Sequence, residues 1–188
     1  MKLFIRAHDL GVTGEKEIVQ KLCGLGLDGV QLVAYKVLPD ARYVQGGVSV
    51  SSARKVAETF VSAGKSIPLI GAYFNPVHPD KEKVETGVAV FRDYLRLAHD
   101  FGCDTVGSET GSVNGDPWIY HPGNHTQEAF DRVVNIFAGL CDYAKDYKVY
   151  VGMEGAIGHV CYDVGRLASA VDKMGRDNIR IIFDLYNY

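Results

Sequence analysis

Two short apolar stretches of the 188-residue sequence stop on a carboxylate. Tyr150-Val151-Gly152-Met153 runs into Glu154 and is followed at once by Gly155, and Arg180-Ile181-Ile182-Phe183 runs into Asp184. Runs of β-branched and aromatic residues read as strands buried on both faces, as in a parallel sheet. A carboxylate at the end of such a strand lies near the C-terminal rim of the sheet, where α/β folds hold their ligands. Two acids on separate strand ends then meet at one place, and converging carboxylate oxygens suit a divalent cation. Glu154 and Asp184 are the expected metal ligands.

Other polar residues stand where further strands end. His8 and Glu109 are expected to touch a substrate, although Glu109 also suits a cap on the Thr110-Gly111 turn. His78 lies in a loop between two prolines, and His159 follows Glu154 in the rim loop; both are candidate substrate contacts. Tyr35, Tyr73, Trp118 and Tyr120 could wall a ligand with their aromatic faces, the alternative being ordinary loop packing.

The elements that position these residues alternate in kind. Strands are expected over Leu3 to Ala7, Gly29 to Ala34, Ile67 to Tyr73, Asp104 to Gly107, Tyr150 to Glu154 and Ile179 to Phe183. Between them, apolar residues recur at helical spacing, as in Ile18, Val19, Leu22 and Leu25, or Phe130, Val133, Val134, Phe137, Leu140 and Cys141. Thr13, Ser49, Asp80, Thr126 and Asp163 stand where helices need a cap. Strand and helix thus repeat about every 35 residues, close to the βα unit of an eight-fold barrel. The first turn, His-Asp-Leu-Gly-Val-Thr-Gly, is neither GxGxxG nor a P-loop, which argues against an open nucleotide-binding sheet. The expected fold is an α/β TIM-type (β/α)8 barrel. A full barrel takes about 250 residues, so the chain is expected to hold about the first six strands of one such domain, 1–188, with the C-terminal units missing.

Composition narrows the partners. A net charge of -3 gives no basic footprint for nucleic acid. No apolar run is long enough to span a bilayer, and the N-terminus enters a strand directly, so a cytoplasmic protein is expected. The four cysteines form no CxxC pair; Cys23 and Cys141 fall on apolar helix positions and are expected to be buried, reduced thiols. Homo-oligomerisation is left open.

The strand Val-Gly-Met-Glu-Gly resembles the metal-binding glutamate strand of the xylose isomerase-like TIM-barrel superfamily. Ile-Ile-Phe-Asp-Leu-Tyr-Asn is similar to that family's Asp-x-x-His pattern, with Asn187 where many members have histidine. Val-Gly-Ser-Glu-Thr-Gly-Ser and Asn-Pro-Val-His-Pro-Asp also look at home there. The resemblance implies a divalent metal ion (Mn²⁺, Mg²⁺ or Co²⁺, with Zn²⁺ an alternative) and a sugar or sugar-phosphate substrate. It further implies isomerisation or epimerisation by removing a proton next to a carbonyl, with Glu154 as both ligand and base. Asn187 would bind a sugar hydroxyl. The remaining ligands, a histidine and a glutamate, would lie on strands seven and eight, beyond Tyr188, so the chain alone is expected to be inactive. A non-catalytic sugar-binding barrel is the alternative. A metal-dependent abasic-site endonuclease is disfavoured by charge and by the lone histidine of strand three.

Overall fold

A computed structural model describes residues 1–116 and 118–188. The alternation holds throughout. Strand β1 (Phe4–Arg6) turns through a 3-10 segment, Ala7–Leu10, into helix α1 (Glu15–Leu25). Next come β2 (Gly29–Leu32), a single helical turn α2 (Ala34–Val37), α3 (Val50–Ser62), β3 (Ser66–Gly71) and α4 (Lys81–Leu97). The chain continues through β4 (Thr105–Glu109), α5 (Gln127–Lys145), β5 (Tyr150–Glu154), α6 (Val164–Met174) and β6 (Ile179–Ile182).

The six strands form one all-parallel sheet in sequence order, as right-handed βα crossovers demand. This is the order of the first six strands of a (β/α)8 barrel. Because the strands run the same way, their C-terminal residues share one rim. Glu109 pairs in register with Glu154, and Glu154 with Ile182. Close strand approach is built in with glycine. A Cβ on Gly29 would run into the Ser66 carbonyl of β3, and one on Gly107 or Gly152 into the Ile182 side chain. Ile182 therefore fills the space inside the sheet that the two glycines leave.

The helices pack their apolar stripes on the outer face. Phe60, Phe91, Phe101 and Phe137 are almost fully buried there, with Leu22 and Leu140; burying one such side chain contributes about 1.5–3 kcal/mol. Four expected caps are present. Ser49, Asp80, Thr126 and Asp163 accept hydrogen bonds from the backbone N–H of Ser52, Glu82, Ala129 and Arg166 at 3.1, 3.0, 3.2 and 2.7 Å. Thr13 does not cap α1. Gly14 takes that position at φ 80° with no side-chain cap, and its N–H donates to the Val37 carbonyl at 2.7 Å. A contact from a distant turn thus sets where the helix begins.

Other expectations need correction. The second strand stops at Leu32, and Ala34 belongs to the α2 turn. Cys23 is exposed while Cys141 is buried, because the buried face of α1 is the narrow row Glu15, Ile18 and Leu22. The sixth strand is not covered on both faces: Ile181 and Phe183 are 46% and 59% exposed. It pairs with β5 alone, and among the described residues only a 3-10 turn, Leu185–Asn187, follows it.

Candidate active site

A cavity of about 490 Å³ opens at the C-terminal rim of the strands. Strand-end geometry selects its walls: Arg6, Glu109, Glu154 and Ile182 are the last residues of β1, β4, β5 and β6, and all line it. Asp184 and Asn187 come from the turn after β6, Tyr73 from just after β3, and Gln31 from within β2.

Glu154 sits at the centre of a relay of hydrogen bonds. Its side chain lies on a residue only 5% exposed. The Tyr73 hydroxyl donates to Oε2 at 3.1 Å, and the Asn187 amide donates to Oε1 at 2.8 Å. Gln31 donates in turn to the Tyr73 hydroxyl, and the Tyr43 hydroxyl donates to the Tyr73 carbonyl at 3.1 Å. Tyr73 is thus fixed from two sides. Burial pushes its phenol far above the usual range, with the Glu154 and Glu109 charges adding to the rise, so it stays a neutral donor.

Neighbouring acids raise the cost of ionising Glu109 and Glu154. Desolvation lifts the Glu154 carboxyl; its bond from Tyr73 opposes this, and the nearby Asp184 charge adds to it. Glu109 is pushed up to about 7, first by burial and then by Glu154, with Lys36 and Arg6 pulling the other way. Asp184 is more open, and its Oδ1 accepts the Tyr186 N–H at 2.9 Å, which shapes the turn carrying Asn187. Carboxylates gathered in a poorly solvated cavity are relieved by a cation. Their hard oxygens match a divalent ion, and Glu154 at the end of β5 and Asp184 in the turn after β6 line the same space, with Glu109 beside Glu154. Among the described residues no three His, Cys, Asp or Glu side chains come close enough to hold a metal by themselves. Two carboxylates on one cavity, Glu154 and Asp184, are donors of a kind that fits a divalent cation.

The expected site residues separate into two groups. His8, Tyr73, Glu109, Glu154, Asp184 and Asn187 all line the cavity, and Trp118 closes one side of it. His78 does not reach the wall. It is buried, its Nδ1 accepts the Asp80 N–H at 2.9 Å at the start of α4, and its carbonyl accepts from Arg132 at 3.3 Å. His159 is fully buried behind the wall, with its ring 5.2 Å from that of Trp118. Tyr35 packs edge-on against Tyr43, and Tyr120 against His125. Sequence reasoning assigned no role to Arg6, Gln31 or Lys36, which also line the cavity. Arg6 carried a signal in its place at the end of β1, and Lys36 in the α2 turn that follows β2; Gln31 carried none.

A family model described as xylose isomerase-like TIM barrel matches residues 19–188. The chain belongs to the xylose isomerase-like TIM-barrel family. No curated protein sequence matches it. Among solved structures, the IOLI protein with a bound zinc atom has a TM-score of 0.75 at 18% identity, covering 100% of this chain and 64% of that one. A xylose isomerase-like TIM barrel protein from Mycobacterium smegmatis in complex with magnesium has a TM-score of 0.70 at 15% identity, covering 99% and 65%. D-psicose 3-epimerase in the presence of D-fructose has a TM-score of 0.69 at 16% identity, covering 96% and 62%. The chain thus spans less than two thirds of the length of these barrels, and at such identities the likeness is one of fold. No helix of the described residues is long and apolar enough to cross a membrane.

Proposed function

We propose that this chain carries the proton-transfer side of a divalent-metal-dependent sugar or sugar-phosphate isomerase or epimerase. The observation that supports it most is Glu154, held by Tyr73 and Asn187 at the rim of the cavity that Asp184 also lines. Glu154 and Asp184 would hold the cation, which supplies polarisation of a substrate carbonyl. Magnesium and zinc in two structures of the same fold favour such an ion, and the epimerase among them favours a ketose substrate.

The rest of the chemistry belongs to the side chains. Removing a proton next to a carbonyl needs a base held within reach of carbon, and burial strengthens Glu154 as a base by raising its carboxyl. Tyr73 and Asn187 orient its two oxygens. Glu109, His8 and Trp118 line the space beside it and would contact the sugar, with hydroxyls facing the polar groups and C–H surfaces facing the indole. His78 and His159 would act from behind the wall, by fixing the loops after β3 and β5. The net charge of -3 favours a small sugar over nucleic acid.

The test is interconversion of ketose epimers or aldose–ketose pairs by the protein made from its complete reading frame. Glu154→Gln is expected to lower the rate by about 10²–10⁴-fold. Chelation is expected to abolish it, and Mn²⁺, Mg²⁺, Co²⁺ or Zn²⁺ to restore it. Full activity in Glu154→Gln sinks the proposal. A second reading, sugar binding without turnover, is favoured by the fact that both Glu154 oxygens already accept a hydrogen bond. Sugar affinity with no bound metal and no interconversion would establish it.

A further inference from the structure

The carboxylates occupy one side of the cavity, at the ends of β4, β5 and β6. The side nearer β1 and β2 is built from Arg6, which ends β1, His8 in the 3-10 segment after it, and Lys36 in the α2 turn after β2. Arg6 uses Nε on Asp9 Oδ2, at 2.7 Å. Its terminal guanidinium nitrogens have no hydrogen-bond partner among the described residues, and the Lys36 ammonium has neither a hydrogen bond nor an ion pair there. Nδ1 of His8 is buried without a hydrogen-bond partner. Lys36 is near enough to lower both the His8 imidazole and the Glu109 carboxyl, although burial is the larger influence on each. The terminal guanidinium nitrogens of Arg6 and the Lys36 ammonium therefore stand at the cavity with no acceptor among the described residues.

We propose that this β1–β2 side is an anion subsite, and that the substrate is a sugar bearing an acidic group, a phosphate ester or a carboxylate, that Lys36 and Arg6 hold away from the carbon at Glu154. The inference rests on the isomerase or epimerase reading only for which end of the sugar reacts. The guanidinium fork and the ammonium are the two side chains that recognise such oxyanions, one by paired N–H donors and one as a point charge. A cavity of about 490 Å³ leaves room for a sugar and its charged substituent together. Binding energy gathered at a group remote from the reacting carbon is what an enzyme uses to orient that carbon.

Trp118 lines the cavity and is the only tryptophan of the sequence, so its emission reports occupancy without any turnover. Titrations of the protein with D-fructose, D-fructose 6-phosphate and D-fructuronate separate the possibilities. At least one anionic sugar is expected to bind at least about tenfold more tightly than D-fructose, as a charge-assisted hydrogen bond allows. Whichever of the two shows the gain identifies phosphate or carboxylate as the group. Lys36→Gln and Arg6→Gln are each expected to shrink the preference, to about threefold or less when combined, whereas Lys83→Gln on the exposed surface of α4 leaves it intact. D-fructose binding as tightly as both anions, or a preference that survives the double variant, overturns the subsite and leaves the reading of the carboxylate end standing. No emission change with any of the three, together with no epimer interconversion, overturns both.

Discussion

Glu109 and Glu154 end neighbouring strands in register, so their carboxyls meet the same cavity and Glu109 sits in the field of the Glu154 charge. The consequence is greatest at Glu109, pushed up to about 7 from an ordinary 4.5. A carboxyl raised in the folded state binds its proton more tightly there than in the unfolded chain. Its contribution to stability is therefore complete below about pH 4.5 and falls away as pH rises through about 7, levelling off above that. Glu109→Gln removes the dependence. In chelated protein, the variant is expected to match the parent near pH 4.5 and to exceed it by about 1–3 kcal/mol above pH 7, read from urea unfolding. Stability curves that stay parallel across that range would show that Glu109 is not held in this way.

At the scale of elements, the alternation of strands and helices was legible because each strand is a compact apolar run and each helix shows an apolar row. Capping residues marked four helix starts for the same local reason. What escaped was decided by contacts distant in sequence. Gly14 caps α1 through Val37, Gln31 reaches the site through Tyr73, and neither link leaves a trace in local spacing. The same holds for His78 and His159, whose loops turn them away from the cavity wall. The strand-end rule found four cavity residues, His8, Glu109, Glu154 and Asp184, because a parallel sheet puts every strand's end on one rim. Helix faces were harder to delimit. On α1 the run Ile18, Val19, Leu22, Cys23 and Leu25 is wider than the buried stripe, and Cys23 lies outside it. Burial pushes the Cys103 thiol up to about 11 and those of Cys141 and Cys161 up to about 12, which keeps them protonated and unreactive at pH 8. A maleimide is expected to label one thiol of the native protein rapidly and the other three only on unfolding, with Cys23→Ser abolishing the rapid phase. Fast labelling at two or more sites in native protein would contradict the helix faces described.

For the molecule as a whole, the sheet's two edges matter most. β1 pairs only with β2, and β6 only with β5, so each leaves one side of its backbone without a strand partner among the described residues. Apolar side chains stand at both places: Phe4 is 40% exposed and Ile181 46%. Unpaired N–H and C=O groups beside apolar surface form a template for another strand, and no bulge, proline or lysine blunts either strand, each of which carries one arginine, Arg6 or Arg180, already paired with Asp9 or Asp104. Charge would do so. A lysine at position 4 or 181 keeps the strand's own pairing, since backbone hydrogen bonds hold the ladder, but it must be desolvated when a second edge docks. The 188-residue chain is accordingly expected to associate as its concentration rises through the micromolar range, seen as growing sedimentation coefficients. Phe4→Lys combined with Ile181→Lys is expected to shift that association to at least about tenfold higher concentration, since burying an unpaired charge costs more than the lost apolar contact. A chain that sediments as a monomer throughout, or a double variant that associates like its parent, would mean that the edges are not where this molecule meets another.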